Sequence, residues 1–100
     1  MSDDILRDSI EKVANKYVQN NVKVTVYKTD SRPFIYTIQI EYNDLCPAYE
    51  LHPRYCIIES YILRVVSDLC GLIASVTNKE KDYYFKKSDE TLQGGLIWVK

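Results

Sequence analysis

Between Val22 and Tyr42 the chain alternates apolar and polar residues on both sides of a turn, which leaves few ways for it to fold. Val22, Val24 and Val26 alternate with Lys23, Thr25 and Tyr27. Phe34, Tyr36, Ile38, Ile40 and Tyr42 alternate with Ile35, Thr37, Gln39 and Glu41. A period of two sets each apolar series on one face of a strand. The intervening Thr29-Asp30-Ser31-Arg32-Pro33 is turn chemistry, so the pattern predicts an antiparallel hairpin with one buried face.

A buried sheet face needs a cover, and helical periodicity on either side of the hairpin supplies one. Leu6, Ile10, Val13, Ala14, Tyr17 and Val18 recur at three- and four-residue spacing, which predicts an amphipathic helix over the first twenty residues. Ser2 can cap it, Asp3 and Asp4 suit its positive N-terminus, and Asn20 and Asn21 suit its end. Asn43 to Pro53 reads as a loop, and Pro53 fits the first turn of a second helix running to Val76. In that helix Glu59, Ser60, Arg64, Ser67, Asp68, Gly71 and Ser75 form the polar side. Two short strands are expected after it, Tyr83 to Lys86 and Leu96 to Val99, with Gly94-Gly95 as a bend between them. The expected architecture is α+β, one domain over residues 1–100 in the order α-β-β-α-β-β, as a two-layer sandwich with an antiparallel sheet and both helices on one face.

Composition narrows the function classes. Thirteen basic against fourteen acidic residues lack the basic excess that counterion release demands of a protein living on nucleic acid. The acidic start does not resemble a secretion signal, and Glu59, Arg64 and Asp68 interrupt the most apolar run, so no membrane association is expected. Three cysteines, an odd number, suit reduced thiols in a cytoplasm. Nine tyrosines exceed what packing alone asks for, and tyrosine suits interfaces. The abundance of lysine, isoleucine and tyrosine beside scarce alanine fits an AT-rich genome, as many phages have.

All three cysteines and the single histidine fall between Cys46 and Val76. Cys46, His52, Cys56 and Cys70 are chemically acceptable zinc ligands, but their spacing matches no finger and Cys70 lies far along the helix. Buried or loop thiols explain them better, and no metal is expected. A Cys56 nucleophile with His52 as base lacks a compelling orienting carboxylate and any oxyanion-hole glycine pattern. No phosphate-binding glycine loop is present, so neither an enzyme nor a cofactor is expected.

Two binding readings remain. Lys79, Lys81, Lys86 and Lys87 surround Tyr83, Tyr84 and Phe85, an interleaving of charge and stacking rings used by single-strand binders. Glu80, Asp82, Asp89 and Glu90 dilute that patch. A protein-binding face needs fewer special residues. The sheet face away from the helices would carry Tyr27 and Ile35, and Tyr42, Tyr84 and Trp98 would supply aromatic anchors. The expected function is therefore a small non-enzymatic intracellular module that binds another protein, with self-association a further expectation. By analogy of size and composition, a phage- or plasmid-encoded accessory factor or inhibitor of a host protein would suit.

Overall fold

The computed structural model describes residues 3–86. The elements are α1 (Asp3–Asn15), β1 (Lys23–Thr29), β2 (Arg32–Glu41), β3 (Ala48–Glu50) and α2 (Glu59–Thr77), followed by a single 3-10 turn at Lys81–Tyr83. This is an α+β chain with two helices and a three-stranded antiparallel sheet in the order β1-β2-β3.

The expected hairpin is present. Lys23 pairs with Glu41, Thr25 with Gln39 and Tyr27 with Thr37 before an irregularity at Lys28. The next pair is Thr29 with Arg32, so Pro33 to Tyr36 form a bulge opposite Lys28. That bulge turns Phe34 out to 84% exposure, although the alternation had assigned it to the buried set.

The third strand is the main departure from the sequence reading, which places a loop there. Tyr42 and Leu45 exchange backbone hydrogen bonds, each 2.9 Å, around the two-residue turn Asn43-Asp44. Asn43 takes the left-handed conformation (φ 52°), which asparagine tolerates. From that turn the register runs unbroken, since the Ile40 amide donates to the Pro47 carbonyl (3.0 Å) and the Leu51 amide to Tyr36 (2.7 Å). Pro47 has no N–H to return, so the ladder is regular only from Ala48.

Both helices start or stop earlier or later than periodicity suggests. α1 ends at Asn15 because the Lys16 and Tyr17 amides close tight bonds onto Val13 and Ala14. The chain then extends so that Val18 bridges antiparallel to Phe85. The Gln19 amide donates to Tyr84 (2.9 Å) and the Lys86 amide to Tyr17 (2.8 Å). The expected strand at Tyr83 to Lys86 is thus a 3-10 turn ending in this one bridge, and Leu96 to Val99 lies outside the described residues. α2 begins six residues after Pro53, because Pro53 to Ile57 form successive turns below the helix.

One buried cluster joins the elements. It contains Ile10 and Ala14 of α1, Val24, Val26, Ile38 and Ile40 of the sheet, and Ile62, Val66, Leu69, Cys70 and Ile73 of α2. At about 25 cal/mol per Å² of apolar surface removed from water, such residues dominate the stability of the fold. α1 packs against β1 and α2, and α2 also meets β2 and β3. By length and composition α2 could cross a membrane, but seven of its residues belong to this core.

Candidate functional site

The two edges of the sheet differ, and the difference follows from which backbone groups point outward. In the β1–β2 ladder Lys23, Thr25 and Tyr27 face their partners, so Val24 and Val26 turn their amides and carbonyls to the edge. There the Glu11 carboxylate of α1 accepts the Val26 amide at 3.1 Å. In β3 it is Tyr49 that faces Ile38, so the amides and carbonyls of Ala48 and Glu50 point away from the sheet. No other described strand or helix covers them. Among the described residues, the β3 edge is open where the β1 edge has its Val26 amide taken up by α1.

Rings gather beside that open edge. Tyr49 is 49% exposed, and His52 and Tyr55 are exposed with ring centroids 4.7 Å apart. Tyr55 lies 5.9 Å from Tyr61, whose hydroxyl accepts the His52 amide at 2.8 Å. Burial pushes the Tyr61 hydroxyl above its ordinary titration range, although that amide acts in the other direction. The His52 ring is held as well, since Nδ1 accepts the Arg54 amide at 3.1 Å. These bonds fix the loop that presents Tyr49, His52 and Tyr55 without using their exposed surfaces. The patch is an aromatic surface continuous with a strand edge, and such rings carry much of the energy at protein interfaces.

The residues singled out in the sequence distribute differently. Tyr27 is half-buried on the sheet surface, with its hydroxyl 3.4 Å from the Gln39 side-chain oxygen, and Ile35 is half-buried in the bulged stretch of β2. Tyr42 is half-buried and meets the Tyr84 ring edge-on at 4.8 Å. Tyr84 is fully buried, its hydroxyl 2.7 Å from Thr77 Oγ1, and it belongs to the core rather than to a surface. Trp98 lies outside the described residues. Periodicity does not single out Tyr49 and Tyr55, because the segment holding them reads as loop and helix start. The usable signal was the Asn43-Asp44 pair, a two-residue turn that promises a returning strand.

The lysine cluster is committed locally. Lys79 Nζ sits 5.2 Å from the Tyr83 ring centre and Lys81 Nζ 5.1 Å from that of Phe85, and Lys81 also bonds Ser67 Oγ. The rings offered for base stacking are therefore capped by the lysines (Tyr83, Phe85) or buried (Tyr84). Lys86 is exposed, and Lys87 lies outside the described residues. A groove of about 710 Å³ runs between α2 and the 3-10 turn, rimmed by Arg64 and Lys81 on one sign and Glu80 and Asp82 on the other.

The thiols separate too. Cys46 is exposed on the returning arm of the second hairpin, whereas Cys56 and Cys70 are buried. Among the described residues no group of three His, Cys, Asp or Glu side chains is placed to hold a metal. Cys56 donates to the Pro53 carbonyl at 3.5 Å, and burial raises its pKa, the opposite of what activates a nucleophile. Burial pushes Cys70 up to about 11. Every buried side-chain nitrogen and oxygen among the described residues has a partner, so none is left over to point to an absent ligand.

No protein-family model matches the chain, and no curated protein or solved structure does either.

Proposed function

We propose that the chain is a small non-enzymatic protein-binding module that takes an extended segment of its partner onto the β3 edge. The observation that carries this reading is the conjunction at one place of outward Ala48 and Glu50 backbone groups and the exposed rings of Tyr49, His52 and Tyr55. Strand addition draws affinity from the backbone groups and specificity from the neighbouring side chains. With both helices on one face of the sheet, in a two-layer arrangement, the opposite face carries Thr25, Tyr27, Thr37 and Gln39 and flanks the same edge. A short strand preceded by proline also discourages unselective edge pairing, which is what a selective binder needs. The accessory or inhibitory role expected from size and composition is the biological form of this reading.

Ala48→Pro tests it cleanly. The Ala48 amide points away from β2, so proline removes an edge donor and no ladder bond. Tagged full-length wild type and variant are compared by capture from the native host, with and without nuclease, after circular dichroism shows equal folding. The expected result is a stoichiometric protein that survives nuclease, binds wild type and is lost by Ala48→Pro and by Tyr49→Ala. Equal capture by all three chains overturns the edge, and capture abolished by nuclease turns the reading to nucleic acid.

A further inference from the structure

A second surface runs along α2 and meets the aromatic patch at Tyr55 and Tyr61. The helix buries Ile62, Val65, Val66, Leu69, Cys70, Ile73 and Ala74. Its outer side carries, one turn after another, Tyr61, Arg64, Asp68, Leu72 and Val76. Leu72 is 55% exposed and Val76 68%, large apolar groups standing in water near the end of the helix. At the other end is a hollow of about 250 Å³ lined by Tyr55, Ile58, Ser60, Tyr61 and Arg64. Between ridge and hollow, Arg64 and Asp68 are exposed, opposite in charge, and without an ion-pair partner among the described residues.

We propose that this stripe is the interface for a second copy of the chain, with the two α2 helices docked antiparallel. The arrangement is self-complementary, as a two-fold interface must be. Setting Arg64 opposite Asp68 of the second copy makes two ion pairs about the axis. One turn outward on each side, about 5.4 Å along the helix, Leu72 of one copy then meets the hollow at Ser60 and Tyr61 of the other. A further turn carries Val76 past the start of the facing helix, toward the turns that hold Ile57, itself 37% exposed. Gly71 and Ser75 beside the stripe are small, and a Cβ added at Gly71 would meet nothing within 4 Å, so the surface lets another helix approach. The exposed apolar groups, and the two charges without an ion-pair partner among the described residues, are thus accounted for by one partner.

This inference shares Tyr55 with the proposed partner surface but does not use the β3 backbone edge, and its test uses different residues. Sedimentation velocity on the full chain across micromolar concentrations is expected to show a mass of two chains that dissociates on dilution. Leu72→Glu is expected to give a folded monomer at every concentration. Arg64→Asp sets like charges across the axis and is expected to weaken the dimer by about tenfold or more, as does Asp68→Arg. In the double variant Arg64→Asp/Asp68→Arg the pairs re-form with reversed sign, and the affinity is expected to return to within about threefold of wild type. A wild-type chain that sediments as one copy throughout overturns the proposal. A dimer indifferent to Leu72→Glu, or to which the double variant brings no recovery, overturns it equally, because the contact then lies elsewhere.

Discussion

Tyrosine does two different jobs at the two ends of this molecule. Where the segment after α1 meets the segment after α2, Tyr17 and Tyr84 are buried and their hydroxyls are used. Tyr17 donates to Glu59 at 2.5 Å, and Tyr84 shares a 2.7 Å bond with Thr77 while touching the rings of Tyr42 and Tyr83. At the end of β3, Tyr49 and Tyr55 keep half or nearly half of their surface in water, and the loop holding them is fixed by other groups. The first set closes the chain on itself and the second is left for something else. Composition counts all nine alike. Burial separates them, and it assigns Tyr17, Tyr36 and Tyr84 to architecture.

The strongest way to break that division is at its buried end. Tyr84→Ala empties a site with no exposed surface and leaves Thr77 Oγ1 with only the carbonyls of its own helix. Removal of a buried aromatic ring costs about 3–5 kcal/mol, a large part of a small domain's stability. Chemical denaturation is expected to show a midpoint far below wild type, or no cooperative transition. A loss under about 1 kcal/mol would mean that Tyr84 is not the keystone between α2 and the sheet.

Tyr17→Phe is a milder cut at the same end. It removes the hydroxyl from Glu59 but leaves Lys16 paired with that carboxylate at 3.1 Å. A hydrogen bond to a charged group is worth about 1.5–3 kcal/mol, and the remaining lysine pair offsets part of the loss, so about 1–2 kcal/mol is expected. The effect has a pH signature. The Tyr17 hydroxyl first, then Lys16, holds the Glu59 carboxyl below the usual carboxylate range, against the opposing pull of burial. A depressed carboxyl contributes stability that is present above its unfolded pKa, about 4.3, and is lost as pH falls through the folded value. Wild type and Tyr17→Phe should therefore differ most at neutral pH and converge in acid, as followed by denaturation at several pH values. A constant gap across that window would assign the bond a purely steric role.

The two ends were not equally readable in the sequence. Periodicity in Leu6, Ile10 and Ala14, and alternation from Val22 to Ile40, report burial on one face, and both appear in the fold because those faces are buried by one large cluster. The β3 segment is three residues long and follows a proline, so no alternation can build up, and its pairing depends on β2 being already in place. α2 starts at Glu59 rather than Pro53 for a similar reason. Ile58 offers no side-chain cap, while the turns before it are held by contacts from afar, such as Tyr61 to the His52 amide. Tyr83 to Lys86 reads as a strand by composition, but the Tyr84 ring enters the core beside Thr77 and Tyr42, which the 3-10 turn before it allows. What was missed is what distant contacts decide, and the candidate surface is built from that part.

The thiols give the gentlest comparison, because each region carries at least one and labelling requires no mutation. Cys46 stands exposed on the arm leading to β3, while Cys70 is buried in α2 with its pKa pushed up to about 11, and Cys56 is buried and bonded to Pro53. An alkylating reagent must reach the thiol and attack its thiolate, so exposure favours Cys46, while burial and the raised pKa both protect Cys70. Native protein near pH 8 is expected to take up one label quickly, located at Cys46 by peptide mass mapping, and three only after denaturation. Since Cys46 makes no core contact, a small label there should move stability by no more than about 0.5 kcal/mol. If Cys56 labels as fast as Cys46, the turns that position His52 and Tyr55 open on the labelling timescale. The aromatic surface would then be ordered by its partner rather than presented ready-made. Early labelling of Cys70 would place the opening in the core beneath α2 instead, and the contrast between a closed end and a presenting end would fail.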